Sequence, residues 1–207
     1  MGDIMQLLQG QLSGGMIDQL SRQIGIEDND QTEVAVNGIV GTLVNAMAKN
    51  ASTPEGAMSL FGALTKSHDG SILDNLLGMI GSGSDSNSMG GLGILSHVLG
   101  GNISSVINMV SKMSGLDKNK TGSLLLTLAP IVMGALGKMK QQQQIQKPQG
   151  VLDILLSGAK TANESIVKHQ PSNQSIFSRI LDQDGDGNVM DDIAGMGAKH
   201  LLKGLFK

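Results

Sequence analysis

The chain has 207 residues and a formal net charge of −3, from 15 basic and 18 acidic residues. It contains no Cys, which excludes disulfides and thiol catalysis. It has no Trp, no Tyr and only three Phe, so it has few of the aromatic rings on which nucleic-acid bases stack. Outside one Asp-rich loop the sequence shows no block of like charge and no basic stripe, so we expect no nucleic-acid partner.

The chain is rich in Met, with 13 Met beside 29 Gly. Met fills irregular gaps in a core and also forms adaptable binding surfaces. Met79, Met89, Met109 and Met113 are therefore candidate contacts with a second copy or with a protein partner. The first residues lack the basic stretch and long apolar run of a secretory signal, so we expect a cytoplasmic protein.

Two parts of the chain resemble each other. Residues 16–27 line up with residues 106–117, and residues 45–49 line up with residues 134–138 after a one-residue slip. Each copy has a short amphipathic helix, a Gly stop, an acidic start signal and a longer apolar helix. No stretch alternates apolar and polar residues for long enough to predict a strand. We therefore predict an all-α fold of duplicated helical hairpins in two related halves, followed by a C-terminal EF-hand-like Asp loop and helix.

Several helix starts are marked by side chains that can cap exposed backbone amides. Asp28 or Asn29 is the predicted cap in the first copy, and Asp117 is the predicted cap in the second. Thr53 followed by Pro is a third start signal, because the hydroxyl can cap and Pro fits the first helical position. The helix that Thr53 opens should end at about Lys66.

Composition divides the chain into five parts. A first helical repeat with a degenerate Asp-Gly turn occupies residues 1–80, and a Gly/Ser linker follows at residues 81–90. The second repeat occupies residues 91–139 and leads into a Gln-rich linker at residues 140–150. The C-terminal helices and the Asp loop fill residues 151–207.

Two further helices stand out. Residues 121–137 carry no charge, but they are fewer than the roughly 20 apolar residues of a spanning helix, so we predict a buried central helix. Membrane association through this segment is the alternative. A last helix is predicted at about residues 189–205, with Lys199, Lys203 and Lys207 along one solvated face and near the negative end of the helix dipole.

Three segments together resemble one known family. These are residues 50–57, residues 68–74 and residues 182–192, and the turn at residues 69–75 also matches residues 186–192. In combination they are similar to the bacterial YidB-like family, a domain of unknown function numbered nine-three-seven. The resemblance implies a bacterial, all-helical protein, and it carries over no reaction or substrate.

The loop at residues 182–192 is the most informative segment. Acids at alternate positions, a Gly at the sixth and an apolar residue at the eighth are typical of an EF-hand-like calcium loop. The predicted ligands are Asp182, Asp184, Asp186, Asn188 and one of Asp191 or Asp192. Ile193 stands where an EF-hand carries its bidentate Glu, so we expect weak binding.

The same residues also fit a turn without a metal. Asp accepts backbone hydrogen bonds and Gly takes positive φ in ordinary turns, and acids are stabilised in the first turn of a helix. In the matching segment of the first half, Thr65 and Ser67 replace two of the acids, so we expect that segment to keep the turn and to bind no ion.

The sequence favours a non-enzymatic structural or protein-interaction protein, with calcium at the Asp loop as a stabilising cofactor. The alternatives are a membrane-associated helical protein and an enzyme with a catalytic metal. The last would need an open coordination position and a nearby base, and the loop supplies neither visibly.

Overall fold

A computed structural model describes residues 3–13, 15–76, 78 and 90–169. Within these ranges the chain is helical and has no strand, which confirms the predicted all-α class. The α-helices in chain order are α1 (Ile4–Gln11), α2 (Gly15–Ile24), α3 (Asn29–Ala51), α4 (Pro54–Lys66), α5 (Gly91–Leu99), α6 (Ile103–Ser114), α7 (Lys118–Gln142) and α8 (Pro148–His169). Short 3₁₀ segments lie at Ser71–Asn75 and Gly100–Asn102.

The predicted caps begin the helices. The carboxylate of Asp28 accepts hydrogen bonds from the backbone N–H groups two and three residues on, at 2.9 and 3.3 Å. Asp117 accepts the equivalent pair at 2.9 and 3.0 Å. The Thr53 hydroxyl accepts from the Gly56 N–H at 3.1 Å, and its helix ends at Lys66. All three predicted starts are confirmed, because each side chain satisfies amides that have no partner within the helix.

Glycines end the two short amphipathic helices. Gly25 follows α2 with φ of 72°, and Gly115 follows α6 with φ of 78°. Side chains disfavour this left-handed conformation, so Gly is suited to stop a helix and turn the chain. In both places the chain then enters a long apolar helix.

The core is built around α3 and α7. Helix α3 packs against α2, α4, α5, α6, α7 and α8. Residues 34–48 of α3 and residues 121–137 of α7 carry no charge, and nearly every side chain in them is buried. A helix that is apolar on all sides must be surrounded by protein. The shorter, amphipathic helices therefore lie around this central pair.

Helix α7 accommodates its polar side chains internally. The hydroxyl of Thr121 donates to the Asp117 carbonyl at 2.9 Å, and that of Thr127 donates to the Ser123 carbonyl at 2.9 Å.

By length and apolarity, Gly91–Ser114 and Lys118–Gln142 could each cross a membrane. In α7, however, 78% of the apolar window is buried inside the fold. The predicted burial of this segment is confirmed.

Of the methionines named as candidate surface contacts, one is buried and another is half-buried. Met109 is 5% exposed, and the terminal methyl of Met113 lies against Gly38 of α3. Met109 is therefore a core residue and offers no contact surface in this fold, whereas the contact predicted for Met113 stays a prediction. Met79 and Met89 lie outside the described residues.

Helix α8 packs against the core formed by the earlier helices. Its buried residues Val151, Leu155 and Ala159 join the same hydrophobic cluster as the earlier helices. The Thr161 hydroxyl donates to the carboxylate of Asp3, which caps α1. Of the residues expected as a Gln-rich linker, the first complete α7, and α8 begins at Pro148 after a turn.

Close packing on α7 requires small residues. A Cβ on Gly137 would overlap the carbonyl oxygen of His68, and a Cβ on Gly134 would overlap the side chain of Ile72. The backbone of the segment after α4 can therefore lie directly on α7.

We predict that Gly137→Ala lowers the free energy of unfolding by about 1–3 kcal/mol, because the new methyl group meets a rigid carbonyl. Gly62→Ala is the matched control, since no atom lies within 4 Å of a Cβ at this position in α4. It should raise stability by about 0.5–1 kcal/mol through helix propensity. Urea unfolding of both variants measures the difference, and equal effects would contradict the tight contact.

Candidate functional site

The predicted metal ligands lie outside the described residues. They are Asp182, Asp184, Asp186, Asn188, Asp191 and Asp192. In the part of the chain that the structure describes, no group of three or more His, Cys, Asp or Glu residues could hold a metal ion. The calcium site at residues 182–192 therefore stays a prediction.

The related Asp-Gly turn of the first half is described. Gly70 has φ of 100°, and the Asp69 carboxylate accepts a hydrogen bond from the Ser71 N–H at 3.1 Å. That backbone N–H stabilises the charged carboxylate and lowers the pKa of Asp69. The chain then enters the 3₁₀ segment, where Leu73 is buried. The predicted turn is present, with its acid directed at the backbone.

This turn is seated on α7. A Cβ on Gly70 would lie 2.7 Å from the Cβ of Lys138, so the two backbones are in close contact. The Lys138 ammonium lies 2.8 Å from a carboxylate oxygen of Asp74. The Asp74 side chain is mostly exposed, so this ion pair adds about 0.2–1 kcal/mol. The lysine thus balances the acid and joins the turn to the central helix.

His68 precedes the turn and is half-buried. Burial lowers the pKa of its imidazole below the ordinary value of 6.5, because desolvation penalises the charged form. The neutral ring is therefore the form that fits the fold. The stability that depends on it is complete above about pH 6.5 and is lost as the pH falls toward the lowered pKa.

A groove lies between α1, α2 and α3. Its volume is about 440 Å³, within the range of ~300–1,000 Å³ usual for ligand pockets. The floor is apolar and buried, formed by Leu8, Leu12, Ile17, Val36 and Val40. The rim carries polar side chains, among them Gln9, Asp18 and Glu33. Such a combination suits an apolar segment with basic groups at its edge.

Acidic groups dominate the surroundings of the groove. Residues 3–33 contain six acids and one Arg. Within the described ranges neither Asp18 nor Glu33 forms an ion pair with Lys or Arg. Sequence reasoning missed this imbalance because the acids are spread along the chain. The packing of α2 against α3 brings Asp18 beside Asn29, whose amide donates to it at 2.5 Å.

A Ser–His pair lies elsewhere, at the junction of α3, α4 and α5. The Ser59 hydroxyl and His97 Nε2 are 3.2 Å apart, beside a cavity of about 210 Å³. The Asn50 amide donates to the carbonyls of His97 and Val98 at 3.3 and 2.9 Å. These bonds attach α5 to α3. Ser59 and His97 are 38 positions apart in the chain, so no local sequence pattern could predict their contact.

The comparison with known families gives one match. A family model described as bacterial protein of unknown function (DUF937) matches residues 6–139. No curated protein and no solved structure matches the chain. The matched range holds the groove except for Met5, the Asp69 turn, all of α3 and most of α7, whereas α8 and the Asp loop lie beyond it. The match confirms the resemblance read from the sequence: the chain belongs to the DUF937 family of bacterial proteins of unknown function.

Proposed function

We propose that this protein is a non-enzymatic structural or protein-interaction scaffold in which Asp-Gly turns fasten helices to the central pair. The observation that carries this proposal is the close contact between the turn at residues 69–75 and α7. Gly70 lies against Lys138, and the ammonium of that lysine balances Asp74. The polar groups of the turn thus act on the backbone and on a neighbouring helix, which supports a structural role.

The loop at residues 182–192 is proposed to do the same work with calcium. It contains five acids and no Lys or Arg, so it lacks the internal balance that Lys138 gives to Asp74. Calcium takes six to eight oxygen ligands and neutralises several carboxylates at once. The proposed ligands are Asp182, Asp184, Asp186, Asn188 and one of Asp191 or Asp192. Because Ile193 cannot coordinate, the expected dissociation constant is roughly 10⁻⁵ to 10⁻³ M.

We also propose that the two halves arose by duplication. Supporting this proposal, Asp28 and Asp117 cap the two long helices with the same pair of amides. Gly25 and Gly115 stop the preceding helices with nearly equal φ. In each copy a Thr four residues after the cap donates its hydroxyl to the carbonyl of the capping residue. A duplicated hairpin would keep all three features at equivalent positions.

Calcium in excess should raise the melting temperature of the wild-type protein. A ligand at a hundred times its dissociation constant adds about 2.7 kcal/mol, which raises the melting temperature by roughly 5–11 °C in a chain of this size. Asp186→Ala should abolish the rise, because it removes one ligand. Asp69→Ala, in the turn that has Lys138 nearby, should lower the melting temperature equally with calcium and with chelator.

Identical wild-type melts with calcium and with chelator would contradict the calcium proposal. They would leave the Asp loop as a turn of the kind formed by residues 69–75. A calcium effect retained in Asp186→Ala would place the ion at other residues.

Membrane insertion of residues 121–137 is the competing function. It requires α7 to leave the core, although Leu124, Leu125 and Leu128 are fully buried there. Its departure would expose to water the buried side chains of the helices packed around it, at a cost of about 1.5–3 kcal/mol for each fully exposed large apolar side chain. We therefore expect the wild-type protein to stay in the aqueous phase when mixed with liposomes. Flotation with the liposomes that Leu126→Asp abolishes would favour insertion over the scaffold.

A further inference from the structure

The groove between α1, α2 and α3 has an apolar floor and an acidic rim, and it is distinct from the turns that carry the proposed scaffold role. We infer that residues 199–207 of the same chain lie in this groove. The segment covers the floor with apolar side chains and places its lysines against the rim. The protein thus carries its own occupant for this surface.

Charge selects a basic occupant. Asp30, Glu33 and Asn37 are three and four positions apart on α3, so they share one face, and Asp18 approaches from α2. Asp30 and Glu33 are exposed. A segment without positive charge would remove water from the acids it covers and would offer no opposite charge in its place.

Residues 199–207 have the complementary chemistry. They read Lys-His-Leu-Leu-Lys-Gly-Leu-Phe-Lys and contain no acid. At helical spacing, Lys199, Lys203 and Lys207 share one face. Leu202, Leu205 and Phe206 are three and four positions apart and form a neighbouring apolar face. One side can therefore enter the groove while the other meets the acidic rim.

Helix α8 passes close to the edge of this groove before it ends at His169. Thr161 donates to Asp3, and Gly158 lies against Ile4, so α8 touches the start of α1. Met5, the next residue, lines the groove. The 29 residues 170–198 connect α8 to the segment. A chain of that length can span at most about 100 Å when fully extended.

That distance exceeds what the groove requires. Helix α1 has 8 residues and is therefore about 12 Å long. Because the segment belongs to the same chain, its binding to the groove is intramolecular and has an effective concentration set by the linker. Another basic cluster of the chain, around Lys138 and Lys140, is already held in α7. The tethered segment thus outcompetes a free one of equal affinity.

The absence of Cys from the sequence allows a clean crosslinking test in the full chain. The test pair is Gln9→Cys, on the exposed rim, with Gly204→Cys, between Lys203 and Leu205. The matched control pair is Met58→Cys, a position 60% exposed on α4, with the same Gly204→Cys. At low protein concentration under mild oxidation, the test pair should form an intramolecular disulfide roughly tenfold faster than the control pair.

Two added substitutions separate the apolar and charged contributions. Phe206→Asp in the test pair should reduce the crosslinking rate to that of the control. Glu33→Lys should slow crosslinking severalfold at low salt and less at high salt, because the effect is electrostatic. Thermal melts of each variant serve as the control for an intact core. We expect unchanged melting temperatures, because Gln9, Glu33 and Met58 are exposed.

Three outcomes would overturn the inference. Equal rates for the two pairs would mean that the segment has no preference for the groove. Disulfide-linked dimers whose yield grows with protein concentration would assign the groove to a second copy. An uncrosslinked test pair, together with flotation of the wild-type protein on phosphatidylglycerol vesicles, would assign the basic segment to a lipid surface. None of these outcomes bears on the calcium melts.

Discussion

The packing of α3 against α7 is the contact on which the rest of this fold depends. Both helices contain a long stretch without charge, and Leu43, Leu124 and Leu128 are fully buried. Each such side chain contributes about 1.5–3 kcal/mol by leaving water. The surrounding helices each pack against at least one member of this pair. Even α8, beyond the range that the family model matches, buries Val151 and Leu155 in the same cluster.

Polar residues at the helix ends determine how the central pair is surrounded. Asp28 and Asp117 begin the two central helices at defined positions, and the Asp-Gly turn at residues 69–75 lies directly on α7. The turn can approach because Gly137 leaves room for the backbone of His68. An exposed ion pair between Lys138 and Asp74 adds a small further contribution to this contact. Packing supplies the stability, while the caps and turns specify the geometry.

Sequence patterns predicted the features that are local. The charge-free stretch at residues 121–137 indicated a buried helix, and Thr53 followed by Pro marked the start of a helix that ends at Lys66. The groove could not be found in this way, because Asp18 and Glu33 meet only when α2 packs on α3. Met109 was misplaced for the same reason: composition does not tell which side of a helix packs inward. The ligands at residues 182–192 stay a prediction.

Hydrogen exchange of the backbone amides tests the central claim most directly. If α3 and α7 form one cooperative core, amides in the middle of both helices should exchange only through global unfolding. Their opening free energies should then be equal and should fall with the same denaturant dependence. A lower opening free energy for the amides of residues 124–136 than for those of residues 36–47 would contradict the account. It would mean that α7 can leave the core while α3 remains folded.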